Sequence, residues 1–258
     1  RWKDASLADT AAMVCCGALS AFLERAFPAD DPATLQSKLL KGLPNIVSSL
    51  PPVHLWSLSR RIRSDADLLA LFDSPNPVAI LTTLRAEARF RDFCEAFEDF
   101  LKQWGFRCSG ELMLTRPNLQ EDPTALIGVL RSYASMDGGS PQEAIQQQGS
   151  ERIAETARLR RRLPRAKRPL FSRLVSSTHL SLSMRERARL KQALLYSRCR
   201  AIALAIGGRL HDEGKIERSN DVFLFTWQEL VATADSNPLP DHAELARRRN
   251  RHAEESSW

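Results

Sequence analysis

The sequence predicts a mainly α-helical protein with at most two or three short strands. Three observations lead to this fold class: apolar residues recur at helical spacing, helix-starting and helix-ending residues bracket these segments, and β-rich runs are short and few. The chain has 258 residues, of which 43% are hydrophobic and 26% charged, a composition that suits a globular fold with a sizeable core. We therefore expect one helical domain over residues 1–258.

The first half of the chain is predicted to be a series of helices separated by proline and glycine. The spacing of apolar residues predicts helices over 5–27, 33–41, 53–62, 65–72 and 77–103. Pro28 and Gly42 stand where the first two helices should end. The helix over 77–103 has the strongest pattern, since Phe93 and Phe97 keep to one broad apolar face.

The helical pattern stops at "GFRCSGELMLTRPNLQEDP", residues 105–123. Glycine and proline interrupt it, and "ELML" leaves room only for a short strand or an extended segment. Asp122 followed by Pro123 is typical of a helix start, so we expect the next helix to begin there.

Capping patterns place the later helices. Ser140 and Glu143 form a predicted capping box that opens a helix over 141–163, just after a loop that we expect to be a hinge near 136–141. Ser183 and Glu186 form a second predicted capping box, which would open a long helix.

The long helix should end near Asp212, since Gly214 follows. The segment "DVFLFT" is then predicted to be extended, and Thr226 should cap a short helix. Residues 239–258 form a charged segment with little apolar face, which we expect to be a linker helix toward a further domain.

Net charge, cysteine content and apolar runs indicate which classes of partner and which cellular compartment to expect. The net charge of +6 favours acidic partners without identifying one. The five cysteines are odd in number and have no metal-ligand spacing, which predicts reduced thiols and a cytoplasmic location. We see no signal peptide and no run of about 18 apolar residues, so no membrane partner is expected. The chain opens without Met, so we expect it to be part of a longer protein.

The basic run "RLRRRLPRAKR", residues 158–168, invites a nucleic-acid interpretation. It lacks the interleaved aromatic residues that stack on bases, and no DNA-binding motif surrounds it. A solvated helix face or a docking surface for an acidic neighbouring domain is the preferred interpretation, and nucleic acid is not an expected partner.

The search for catalytic motifs finds no Gly-rich phosphate loop and no histidine at metal-ligand spacing. Two places combine charge with a predicted break between helices. One contains Arg107, Glu111 and Arg116, and the other contains Arg185, Glu186 and Arg189.

Arg185 and Arg189 share one helix face, and helical spacing places no acid between them on that face. Such a pair repels itself until an anion arrives, and guanidinium groups bind phosphate in bidentate fashion. A helix N-terminus would add positive potential, so the pattern predicts a phosphate site. The alternative is that Glu186 only caps Ser183 and that the arginines are only solvated.

Two segments resemble a known family. "WGFRCSGELMLTRPNLQEDPTALIGVL" and "RERARLKQALLYSRCRAIALAIGGRLHDEGKIERSNDVFLFTWQELV" resemble motifs of the middle domain of phosphoenolpyruvate-synthase-like dikinases, especially rifampicin phosphotransferases. "LLKGLPNIVSSLPPVHLWSLSRRIRSDADLLALF" is similar to an earlier region of that domain, so the resemblance covers most of the chain in order.

The resemblance implies a domain of a three-part enzyme. In such an enzyme an ATP-grasp domain binds ATP and Mg, a second domain carries a phosphorylatable histidine, and a helical middle domain holds the small-molecule acceptor. This chain would be the middle domain, would hold no cofactor itself and would not turn over ATP alone. Relatives with this layout serve antibiotic modification or natural-product biosynthesis.

The resemblance also assigns residue roles. Arg185 and Glu186 match the family's Arg-Glu pair, and Arg189 stands where the family has Lys, so these three residues are expected at the catalytic contact with the phosphohistidine. Arg107 and Glu111 match the other motif and are expected to support the substrate pocket. The substrate-binding candidates are Arg107, Glu111, Met113, Arg116 and Trp56.

Two functions remain open at this point. The first is an acceptor-binding domain of a phosphohistidine-using phosphotransferase. The second is a non-catalytic helical docking domain within a larger biosynthetic assembly, which the Lys-to-Arg difference at position 189 leaves room for.

Overall fold

The computed structural model describes residues 2–44, 46–108, 112–234, 240 and 242–255. Its α-helices are α1 (Trp2–Ala26), α2 (Pro32–Leu40), α3 (Leu50–Ser64), α4 (Ala66–Phe72), α5 (Pro77–Ala86), α6 (Arg91–Trp104), α7 (Thr124–Ser135), α8 (Pro141–Arg162), α9 (Arg168–Asp212), α10 (Trp227–Ala234) and α11 (His242–Glu255). Short 3₁₀ helices occupy Val47–Ser49, Ala88–Phe90, Arg165–Lys167 and Ser219–Leu224. The described residues contain no strand, so the predicted mainly α class is confirmed.

The predicted helix over 77–103 is two helices. Glu87 has an extended backbone (φ −95°, ψ 123°) that ends α5 before α6 begins. The break lets both helices place apolar residues in one core, as Leu84 of α5 and Phe93 of α6 are both buried there. One straight amphipathic helix packs along a single apolar face. Two shorter helices reach the core from two directions, so this packing ends the continuous helix that the apolar spacing over 77–103 predicted.

The capping predictions have opposite outcomes. Ser140 opens α8 with both hydrogen bonds of a capping box, because its hydroxyl accepts from the Glu143 amide and the Glu143 carboxylate accepts from the Ser140 amide. The predicted helix start at Ser183 is wrong. α9 already begins at Arg168 and runs without interruption for 45 residues, so Ser183 lies inside it.

The predictions of extended structure for "ELML" and "DVFLFT" are also wrong for the residues that the structure describes. Leu112 has a positive φ of 73°, a turn conformation that an L-residue rarely adopts and that a strand does not contain. The segment "DVFLFT" instead begins inside the 3₁₀ helix Ser219–Leu224. The Thr226 cap is confirmed, since Thr226 and Glu229 exchange two hydrogen bonds.

The chain divides into two compact units, the first comprising 1–106 with 119–192 and the second comprising 107–118 with 193–258. In the first unit, α3 to α7 enclose a core rich in aromatic residues, including Phe93, Phe97 and Trp104. A second core in this unit joins α1 and α2 to α8 and the first part of α9. The predicted hinge near 136–141 stays a prediction.

The second unit has a small apolar core in which Leu245 of α11 is buried with Leu210 and Ile216. Ion pairs surround that contact: Arg248 binds Glu229, and Arg249 binds Asp221. α11 is therefore packed through one buried leucine and two arginines, although its sequence is highly charged. Its role as a linker toward a further domain stays a prediction.

One segment of α1 is long and apolar enough to cross a membrane, although the sequence pattern predicts no such span. This segment, Ser6–Ala26, has a mean hydropathy of 1.6, and 17% of its most apolar stretch is buried. One such helix near the N-terminus does not establish a span, because core helices of soluble proteins and signal sequences have the same length and composition. In this structure Leu19 and Leu23 of the segment are fully buried against α2, α8 and α9.

Candidate functional site

The predicted catalytic arginines lie on α9, where they meet an acidic residue of α1. Arg185 Nε donates to Asp9 Oδ1 at 2.8 Å, and Arg189 Nε lies 3.8 Å from the same oxygen. The premise that no acid lies between these arginines is therefore wrong. Asp9 is 176 residues away in the sequence, so helical spacing could not reveal it.

The electrostatic setting of this cluster also differs from the prediction. Arg185 lies roughly five turns inside α9, and the positive potential of a helix N-terminus fades within the first turn. Glu186 Oε1 lies 3.8 Å from Arg185 Nη1, and Glu186 Oε2 accepts from the Ser48 hydroxyl at 2.9 Å. Two arginines and two carboxylates leave the cluster without net formal charge.

A cleft of about 560 Å³ lies elsewhere in the first unit, between α8 and α9 and the turn that follows α2. Gly42 makes this turn possible, because its φ of +56° suits glycine and a Cβ there would lie 2.5 Å from the Gly149 amide nitrogen. The close approach brings Leu43 and Pro44 to one edge of the cleft.

Arg152 of α8 fixes the same turn and lines the cleft. Its Nη1 donates to the carbonyl oxygens of Lys41 and Gly42, which the end of α2 leaves without helical partners. The residue is only 8% exposed, and burial lowers the pKa of its guanidinium. Arginine nevertheless remains charged in proteins, so the wall of the cleft carries a buried positive charge.

His179 of α9 lies opposite and is half-buried. Its Nε2 is 2.8 Å from the Leu39 carbonyl oxygen, so this nitrogen carries the proton and donates it. Burial lowers the pKa of His179 by more than the hydrogen bond to the Leu39 carbonyl raises it, and the charge of Arg152 lowers it further. The imidazole is therefore neutral near neutral pH and adds no positive charge to the cleft.

The other residues that line the cleft are of two kinds. Hydroxyl groups come from Thr156, Ser172, Ser176 and Ser183. Apolar surface comes from Leu43, Pro44, Ile153, Ala157, Val175 and Leu180. Arg160 adds a second arginine, and none of the thirteen lining residues is acidic. The arrangement suits a ligand with an apolar body and polar or negative groups.

The predicted substrate-binding residues fall in both units. Arg107, Met113 and Arg116 belong to the second unit, where Met113 is 58% exposed and Arg116 is exposed. Trp56 belongs to the first unit and packs edge-on against Tyr133, with their ring centroids 5.7 Å apart. Glu111 lies outside the described residues. Their roles in substrate binding stay predictions.

Comparison with known proteins identifies the family of this chain. Residues 7–186 match the family described as the rifampicin phosphotransferase fourth domain, which is more than half of the chain. The chain belongs to this family. The resemblance found in the sequence is thus confirmed, and the chain is a phosphotransferase-related domain. The matched range contains every residue of the cleft together with Asp9, Arg185 and Glu186, whereas Arg189 lies just beyond it.

A curated relative agrees with this assignment. The chain is similar to a rifampicin phosphotransferase from Streptomyces sp, with 26% identity over 100 residues. The aligned part covers 39% of this chain and 12% of that relative. The chain therefore spans only a small part of the length of the relative it matches.

Sequence reasoning missed Asp9, Arg152 and His179. The sequence feature that pointed toward the cleft was the basic run 158–168, since Arg160 lies within it and lines the cleft. The remaining residues come from helices far apart in sequence, so only the packing of α8 on α9 and α2 brings them together.

Proposed function

We propose that this domain binds the small-molecule acceptor of a multidomain, ATP-dependent phosphotransferase that passes a phosphoryl group through a phosphohistidine. Membership in the rifampicin phosphotransferase fourth-domain family carries the proposal, because the matched range includes a cleft large enough for a drug-sized ligand. The partners would be the ATP-grasp and phosphohistidine domains of the parent chain, in the cytoplasm.

ATP and Mg would be held by the ATP-grasp domain. Among the residues that the structure describes, no three His, Cys, Asp or Glu side chains cluster as a metal site. We therefore assign no metal ligand to this chain and derive no step through a metal ion.

Arg185, Glu186 and Arg189 are the residues that we propose at the contact with the phosphohistidine. Because Asp9 already pairs with Arg185, an incoming phosphoryl group would have to share or replace that carboxylate. Arg185 would then supply charge-assisted hydrogen bonds, and Ser48 would keep Glu186 in place. The role is positioning and charge stabilisation, as in phosphoryl transfer generally.

The test is equilibrium dialysis of the 258-residue chain against rifampicin, the compound named in the curated relative. Ala157→Trp should abolish binding because Ala157 lines the cleft, whereas Ala154→Trp should not, because Ala154 lies on the same helix but does not line it. The isolated chain should not hydrolyse ATP. Equal binding by both variants would refute the cleft as the acceptor site, and ATP hydrolysis would contradict the assignment as an acceptor-binding domain.

A second candidate function is docking within a larger assembly. The charge-neutral cluster of Asp9, Glu186 and the two arginines favours docking, because arginines that already pair with carboxylates are less available to a phosphate. α1 also exposes Leu7, Met13 and Val14, each more than 60% accessible. A chain that binds no small molecule but retains its fold by circular dichroism would support this candidate.

A further inference from the structure

The cleft between α8 and α9 carries a positive charge that no carboxylate of the described residues neutralises. Arg152 is 92% buried, and its hydrogen bonds go to two backbone carbonyls, which are neutral acceptors. None of the ion pairs among the described residues involves Arg152 or Arg160. A buried charge is costly unless an opposite charge accompanies it.

Arg160 adds a second positive charge to the cleft. It is eight residues after Arg152 on α8, and both arginines line the cleft. Two other arginines of the basic run have carboxylate partners: Arg158 binds Glu155, and Arg162 binds Asp30. Arg160 is exposed, and the described residues offer it no carboxylate within ion-pair distance.

The remaining lining residues suit the rest of such a ligand. The hydroxyl groups of Ser172, Ser176 and Ser183 follow one another along α9 and are able to donate to anionic oxygens. Ile153, Val175 and Leu180 offer apolar surface beside them. An arginine guanidinium binds carboxylate and phosphate in the same bidentate geometry, so both head groups fit this chemistry.

We infer that this cleft is a binding site for a small organic anion, whose carboxylate or phosphate pairs with Arg152 and Arg160 and whose apolar body lies against α8 and α9. The inference uses the cleft of the proposed function and adds the chemical class of its ligand. The inference is tested with simple anions, whereas the proposed function is tested with rifampicin. A failure to bind anions and a failure to bind rifampicin are therefore separate results.

The experiment measures binding of phenyl phosphate, benzoate and neutral benzyl alcohol to the 258-residue chain by calorimetry at fixed ionic strength. Arg160→Ala should weaken binding of the anionic probe roughly fivefold. Arg161→Ala is the matched control, because it removes the same charge from the next position of α8 without touching the cleft. It should change affinity by less than about twofold. Arg152→Gln should weaken binding further, with its fold checked by circular dichroism.

The outcomes separate the alternatives. Binding of phenyl phosphate alone assigns a phosphate ligand, and binding of benzoate alone assigns a carboxylate ligand. Equal effects of Arg160→Ala and Arg161→Ala would overturn the inference, because they would indicate general surface electrostatics. Benzyl alcohol binding as tightly as benzoate, or no saturable binding of either anion, would also overturn it. These results stand even if Arg152→Gln fails to fold.

Discussion

Arg248 should hold α11 in place, and Arg248→Ala tests this directly. Its Nη1 and Nη2 donate to the two carboxylate oxygens of Glu229 at 2.8 and 2.9 Å, which is the bidentate geometry. Its Nε donates to Glu244 at 2.9 Å, and Nη1 also donates to the Leu224 carbonyl at 3.0 Å. One side chain therefore connects α11 to α10 and to the 3₁₀ helix before it.

The magnitude follows from this geometry and its exposure. The side chains of Arg248 and Glu229 are each 26% exposed, so solvent screens their pairing in part. A bidentate pair of this kind contributes about 1 kcal/mol, and the i,i+4 pair with Glu244 about 0.4 kcal/mol. Losing both should favour local opening of α11 by about 1.4 kcal/mol, which is roughly tenfold.

Hydrogen exchange followed by mass spectrometry measures that opening. Peptides covering α11 should lose about tenfold in protection in Arg248→Ala, whereas peptides of α3 in the first unit should not change. Arg247→Ala is the matched control, because its side chain is 71% exposed and its one ion pair among the described residues is with Glu244. Equal loss of protection in both variants would refute the reasoning.

Three further predictions concern packing and pH. Gly207→Ala should destabilise the chain by about 1–3 kcal/mol, because its Cβ would lie 2.1 Å from the Ser219 carbonyl oxygen, whereas Gly208→Ala meets open space and should stabilise it by up to about 1 kcal/mol. Leu159→Ala should cost about 2–5 kcal/mol in urea unfolding, because this side chain is fully buried in the core of α1, α2, α8 and α9. Arg248 lowers the pKa of Glu229 from 4.5 to about 2, so the stability that ionised Glu229 adds is complete above pH 4.5 and lost as pH falls toward 2. Urea unfolding of the natural chain and of Glu229→Gln should therefore converge over that interval.

Each of these predictions has a contrary result. Equal stability of the two glycine variants would show that the approach of α9 to Ser219 is looser than the structure indicates. Leu170→Ala, at a position that is 53% exposed, is the control for Leu159 and should cost under about 0.5 kcal/mol. A Glu229→Gln difference that persists unchanged at pH 2 would contradict the pKa argument.

The two predicted capping boxes show why local patterns succeed only in part. Ser140 and Ser183 each precede a glutamate by three residues, and both patterns predict a helix start. At Ser140 a loop precedes the helix, so the cap forms. At Ser183 the preceding residues are already helical, since Phe171 and Val175 are buried on the same helix. Burial of apolar residues decided the second case.

The sequence by itself determined the helical class, most helix positions and the family. These properties depend on the periodicity of apolar residues, on prolines and glycines at helix ends, and on short motifs, all of which are local. The periodicity of Phe93 and Phe97, for example, correctly placed both in the core.

Only the tertiary structure decided which charges meet. Asp9 pairs with Arg185 across 176 residues of sequence, which removes the free arginine pair that helical spacing predicted. Arg152 and His179 come together because α8 and α9 pack beside the turn at Gly42. Electrostatic partners depend on distances in space, and these are set by core packing far from the charged residues themselves.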